Sequence, residues 1–134
     1  MFIWTNDLNT GNIMIDNQHK ELIKAINDLI NACSQGKGRI KIKETLDFLN
    51  NYVYRHFGDE EVLQLKYKYP DYTNHKKLHD GYKQVVKDII AEYESNGSSV
   101  ALVSKINTSI GGWLINHIKK EDVKVATHIK NAKL

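Results

Sequence analysis

The sequence predicts an all-α protein, an up-down-up-down four-helix bundle with an irregular N-terminal arm. Three observations lead there. Apolar residues recur at spacings of three and four over four long stretches, the period of one buried helix face. Breaker clusters separate the stretches: Gly36-Lys37-Gly38, Tyr69-Pro70 and Ser95-Asn96-Gly97-Ser98-Ser99. The 134 residues, with a single proline, suffice for one domain with a real core and are too few for two. Short connections between amphipathic helices make chain neighbours antiparallel.

Residues 1–15 carry Trp4, Leu8, Ile13 and Ile15 among small polar residues, which suits an arm packed over the open end of the bundle. Asp16 is the expected N-cap of a first helix, about 17–35. Its stripe is His19, Leu22, Ile23, Ile26, Leu29, Ile30 and Cys33. A second helix, about 41–66, turns Ile42, Leu46, Leu49, Val53, His56, Glu60 and Leu63 inward, with Gly58 as a weak point. The third, about 70–93, takes Pro70 in its first turn and buries Tyr72, His75, His79, Tyr82, Val86, Ile89 and Ile90. The fourth, about 99–129, carries Leu102, Val103, Ile106, Ile110, Trp113, Leu114 and His117, interrupted by Gly111-Gly112. Together these make one domain over 1–134.

Composition narrows the function classes. Hydrophobic residues at 41% and charged residues at 26% are ordinary for a soluble globular chain. The net charge of +3 comes mostly from lysines spread among acids, and Arg39 and Arg55 are the only arginines. Without an arginine cluster or an aromatic-interleaved basic strip, no nucleic-acid partner is expected, and Lys76-Lys77 and Lys119-Lys120 read as solvated helix faces. No apolar run is long enough for a bilayer, and Met1-Phe2-Ile3-Trp4 does not begin a signal peptide. The expectation is a cytoplasmic protein with no membrane partner, and a monomer, since no second long apolar stripe is visible. Cys33 is the lone cysteine and reads as a small core residue.

The polar residues inside the stripes carry the chemistry. A lone histidine on an apolar stripe is more often hydrogen-bonded within the core than metal-bound. Here five of the six histidines fall at inward positions, joined by Glu60 and Asp122. Starts of odd helices and later parts of even helices share one end of an antiparallel bundle. His19, His56, His75, His79 and His117 therefore lie at comparable depth. Seven donors exceed the needs of one tetrahedral zinc and suit two ions that share the two carboxylates as bridges. Five nitrogens divide three and two, which leaves an open coordination position on one ion. One spacing resists: His117 and Asp122 are five apart, about 140° around an ideal helix. Both reach one site only if the helix widens locally, as in a π-bulge, or if Asp122 reaches round; otherwise Asp122 faces solvent. Ferritin-type chemistry calls for Glu-x-x-His on two helices, and neither occurs here.

The ordered set Ile15-Asp16-x-Gln18-His19-Lys20-Glu21-Leu22, His56-Phe57-x-x-Glu60-Glu61, Tyr69-Pro70, His75-x-x-x-His79 and Trp113-Leu114-x-x-His117-Ile118-x-x-x-Asp122 is specific as a whole. On it, the chain resembles the bacterial hemerythrins along nearly its whole length. The resemblance implies two iron ions joined by an oxo or hydroxo bridge. His75, His79 and His117 would hold one iron, His19 and His56 the other, with Glu60 and Asp122 bridging. It also implies reversible binding of dioxygen for transport, storage or delivery, and no enzymatic role. A di-iron enzyme acting on peroxide or nitric oxide, or an oxygen or redox sensor, is the alternative. Two residues depart from the family pattern. Gln64 stands where methionine is common and Tyr82 where phenylalanine often follows, so both are expected to bring polar groups near the ligand pocket. His128 matches no ligand position and is expected to face solvent.

Overall fold

The computed structural model describes residues 2–132. Met1, Lys133 and Leu134, which the expected 1–134 domain includes, lie outside the described residues. The described chain forms four long helices and no strand. They are α1 (Ile13–Ser34), α2 (Arg39–Lys66), α3 (Tyr72–Asn96) and α4, which runs unbroken over 100–131. Each packs on its chain neighbour and α4 closes against α1, so the bundle is cyclic and antiparallel.

The helix ends have local causes, and several differ from the sequence reading. α1 starts four residues before the expected position because Asn12, not Asp16, is its N-cap: the Asn12 side chain accepts from the Ile15 amide at 3.0 Å. Asp16 instead accepts from the Thr10 amide at 2.9 Å and from the Thr10 hydroxyl at 2.7 Å, tying the arm to the first turn. At the other end, Gly36 takes φ 63°, the Gly36 amide reaches Cys33 O and the Lys37 amide reaches Ala32 O. That pair of bonds terminates the helix in a Schellman turn. α2 closes the same way on Lys68 at φ 54°, with the Tyr69 amide bonded to Gln64 O at 2.8 Å. The chain there is not helical, so Pro70 belongs to the connection rather than to α3. Ser99 caps α4 by accepting from the Leu102 amide.

The arm does not cover the open end of the bundle. It runs along the groove between α1 and α4, where Asn27 holds the Phe2 backbone through two hydrogen bonds of 3.0 and 2.8 Å. The Phe2 ring sits on Gly111 so closely that a methyl group added there would overlap it. This is the account of Gly111 that sequence alone lacked. Ile13, placed by the sequence among the arm's packing residues, lies in α1 and is 79% exposed, whereas Leu8 is in the core. Gly58 has no neighbour within 4 Å of where a Cβ would lie, so it serves no close approach.

α4 is not a uniform α-helix. It widens to π geometry over Ile106–Gly112 and again over Ile118–Asp122. The main apolar core, including Leu22, Leu29, Leu46, Leu49, Ile106 and Ile110, fills the bundle below the second widening. At about 1.5–3 kcal/mol for each such buried side chain, this core supplies most of the drive to fold. A smaller cluster of Ile15, Tyr69 and Val125 closes the end where α1 and α3 start and α2 and α4 finish. His128 belongs to this cap: its Nε2–H donates to Tyr67 O at 2.7 Å and its ring packs on Tyr69. It is half-buried, contrary to the expected exposure, because the last turns of α4 lean over the Tyr69 connection.

Candidate metal centre

Between the main core and the small cap, the structure brings together all seven residues that the sequence singled out. His19, His56, Glu60, His75, His79 and Asp122 are fully buried, and His117 is 4% exposed. Neighbouring helices place them at one level: His19 in α1, His56 and Glu60 one turn apart in α2, His75 and His79 one turn apart in α3, and His117 and Asp122 in α4. The π turn over Ile118–Asp122 resolves the awkward spacing of the last pair. It adds a residue to the turn, so positions five apart come to one side of the helix.

The potential ligand atoms form two overlapping sets, each with all its atoms within 4.8 Å of one another. Glu60, His75, His79, His117 and Asp122 make one, and His19, His56, Glu60 and Asp122 the other. The carboxylates belong to both, and each divides its oxygens between them. Asp122 Oδ2 lies 2.8 Å from His19 Nε2, while Oδ1 lies 3.1 Å from both His75 Nε2 and His117 Nε2. Glu60 Oε1 lies 2.8 Å from His75 Nε2 and 3.5 Å from His79 Nε2, while Oε2 lies 3.5 Å from His56 Nε2.

Outer partners fix which ring nitrogen faces inward. The His56 Nδ1–H donates to Gln18 Oε1 at 2.8 Å, and the Gln18 amide donates in turn to Asp59 Oδ2 at 2.8 Å. His79 Nδ1–H donates to Glu61 Oε2 at 2.8 Å. Both rings then present a bare Nε2 to the centre, the arrangement that orients histidine ligands. Phe57 lies flat on His79 at 3.8 Å and Trp113 flat on His117 at 4.5 Å, which restrains the ring planes. The sequence pointed to none of these supporting roles. Gln18 and Glu61 appeared there as matched residues, yet a polar side chain next to a ligand position does not reveal its hydrogen-bond partner.

A metal-ligand reading can be tested on the unpaired atoms. Among the described residues, His19 Nε2, His56 Nε2, His79 Nε2, Glu60 Oε2 and both Asp122 oxygens are buried without a hydrogen-bond partner. Buried polar atoms left unpaired are costly, and a cluster of bare nitrogens and carboxylate oxygens aimed at one point is the donor set of a cation. Electrostatics agree. Burial pushes His56 down to about 4, so its ring is neutral and free to ligate. Burial also opposes protonation of His75, but the adjacent Asp122 and Glu60 carboxylates outweigh it and raise the group to about 9. Burial and Asp122 push the Glu60 carboxyl up, yet the neighbouring His75, His79 and His56 rings prevail and hold it below the usual range. Asp122 is held down by His117, His19 and His75 against its own burial. The neutral His56 ring and the two carboxylates held in their charged form are the states in which these groups bind a cation.

Tyr82 does not bring its hydroxyl to the centre as the sequence suggested. The group is buried and donates to Ile110 O at 3.0 Å, inside the first π segment. Gln64, in contrast, is fully buried beside the centre and donates to Glu60 Oε1 at 3.2 Å. No helix among the described residues is long and apolar enough to cross a membrane.

A family model described as the hemerythrin HHE cation binding domain matches residues 10–129. A bacteriohemerythrin of Pseudomonas aeruginosa is 32% identical over 130 residues, 97% of this chain and 82% of that protein. A bacteriohemerythrin of Methylococcus capsulatus is 31% identical over 123 residues, covering 91% of this chain and 92% of its own. A hemerythrin-like protein of Naegleria gruberi is 32% identical over 123 residues, 92% of this chain and 89% of that protein. A solved crystal structure of a leucine-to-phenylalanine mutant superposes with a TM-score of 0.83 at 28% identity, covering 96% of this chain and 97% of that one.

Proposed function

This chain belongs to the hemerythrin family, and we propose that it binds dioxygen reversibly at a pair of iron ions, as a carrier, store or delivery module. The observation that carries the reading is the division of each carboxylate between two histidine groups. A carboxylate placed so is built to bridge two cations, and hard or borderline ions such as iron accept mixed imidazole and carboxylate donors. On this reading His75, His79 and His117 would hold one iron, His19 and His56 would hold the other, and Glu60 and Asp122 would be shared between them.

Iron bound there would supply the electrons that dioxygen takes up on binding and gives back on release. The chain's own residues make that reversible. Gln18 and Glu61 keep His56 and His79 in one tautomer, so the bare nitrogens need no rearrangement. The smaller set offers two histidines against three in the larger, so an ion held there would have room for a small ligand. Phe57, Trp113 and the Ile15–Tyr69–Val125 cap keep bulk water from a site whose residues are almost wholly buried. A dry pocket slows proton delivery and the loss of reduced oxygen that would leave the iron oxidised.

The test is a visible absorption spectrum of the purified protein in air, with iron counted on the same sample. About two irons per chain and a visible band that disappears on removal of oxygen and returns on its readmission are expected. Iron without a reversible band would reject carriage and favour an enzyme of peroxide or nitric oxide. No iron after anaerobic reconstitution would reject the metal centre itself.

A further inference from the structure

We infer that Gln64 is a positioning residue for the metal pair: its side-chain amide polarises one arm of the Glu60 carboxylate and thereby raises the centre's reduction potential. The inference rests on the proposed iron centre and concerns a side chain outside the seven candidate ligands.

Gln64 lies one turn beyond Glu60, in the last turn of α2, where its own carbonyl accepts the Tyr69 amide that closes the helix. Backbone and side chain are thus fixed together. The side-chain amide donates to Glu60 Oε1 at 3.2 Å. Three groups approach that oxygen: His75 Nε2, His79 Nε2 and Gln64 Nε2. The first two are candidate ligands, whose Nε2 atoms would turn to a bound metal. Gln64 has no such role and remains the donor to Oε1. Oε2, on the His56 side, has no hydrogen-bond donor of its own. The carboxylate is therefore drained of charge on one arm only, the arm facing His75 and His79.

The rest of the side chain gives no structural reason for an amide. Gln64 is fully buried, and its Oε1 has no hydrogen-bond partner among the described residues. An apolar side chain of similar volume would avoid that unpaired acceptor. What the amide provides is its N–H. A hydrogen bond into an anionic ligand lowers the negative charge it offers the metal, which favours the more electron-rich, reduced state. Protection of the reduced state is what a reversible oxygen binder requires.

The experiment compares wild type with Gln64→Met, close in volume, and with Gln64→Leu should the first fail to fold. Three quantities are measured: metal per chain, thermal stability of the metal-free protein and midpoint potential of the iron-loaded protein with mediators. The expected result is two irons retained, a metal-free protein no less stable than wild type, and a lower potential. The shift should be about tenfold in the reduction equilibrium, or about 59 mV for one electron. An unchanged potential with two irons bound would overturn the inference and leave the proposed function standing. So would a loss of metal-free stability without a change in potential, which marks a packing residue. Loss of iron from the variants alone would assign Gln64 to holding Glu60 rather than tuning it, and also overturns the inference. A wild type without iron would overturn both readings.

Discussion

On the proposed pair of irons, removing the Glu60 carboxylate should affect both metals, whereas removing His19 should affect one. Glu60 belongs to both donor sets, so Glu60→Ala reduces the five-residue set to four and the four-residue set to three, and takes an anion from each. His19 belongs only to the smaller set, so His19→Ala leaves the larger one whole. Breaking a buried charge cluster by deleting one partner costs about 3–5 kcal/mol. At about 1.4 kcal/mol per tenfold, that weakens each ion by roughly two to four orders of magnitude. The assay is anaerobic reconstitution with ferrous iron, desalting, and iron counted per chain alongside the visible spectrum. Wild type should hold about two irons, His19→Ala about one, and Glu60→Ala fewer than one. Two irons retained by Glu60→Ala would refute the bridging assignment. Equal loss in both variants would refute the division into two overlapping sets.

Other consequences follow from the same geometry. Gln18→Leu removes the acceptor for His56 Nδ1–H and should weaken the ion of the smaller set about 10–100-fold while sparing the other, as read by stepwise metal titration. Tyr82→Phe should lower stability by about 1 kcal/mol, or a few degrees in Tm, through the lost bond to Ile110 O. Its visible spectrum should match wild type; a spectral change would mean the hydroxyl reaches the centre after all. Gly111→Ala should force Phe2 from its seat. That costs about 1–3 kcal/mol, partly offset by about 1 kcal/mol of helix propensity. The double variant Phe2→Ala/Gly111→Ala should then be no less stable than Phe2→Ala alone. The metal-free protein should be most stable near neutral pH. His56 is depressed to about 4, so the unfolded chain binds its proton first and stability falls as pH drops from about 6.5 toward 4. His75 is raised to about 9, so its contribution is complete below about 6.5 and is lost as pH rises toward 9. Denaturation curves across pH that peak elsewhere would refute this balance.

Much of this protein was legible in its sequence because the signals are periodic and local. A stripe such as Leu22, Ile26, Leu29 and Cys33 has one helical solution, and four such stripes with short breaks have one simple packing. Histidines and carboxylates set into those stripes had to converge once the helices ran antiparallel, so the candidate donors could be named without coordinates. The helix ends were read less well, because Asn12 and Asp16 are both competent caps and only the folded arm decides between them. Asp16 is drawn off by Thr10, and Asn12 takes the cap. The His117 to Asp122 step showed the same limit. Spacing demanded a widened helix or a reaching side chain, and only the packed bundle, burying Ile118 and Asp122 together, decided for a π turn. The partners of the donors lay further out of reach. Gln18 binding His56 and Asp59, Phe2 pressed on Gly111, and His128 tucked against Tyr69 each join residues of different elements. Such pairings depend on how helices rotate and slide against one another. That is fixed by the sum of many side-chain contacts, which no single stretch of sequence contains.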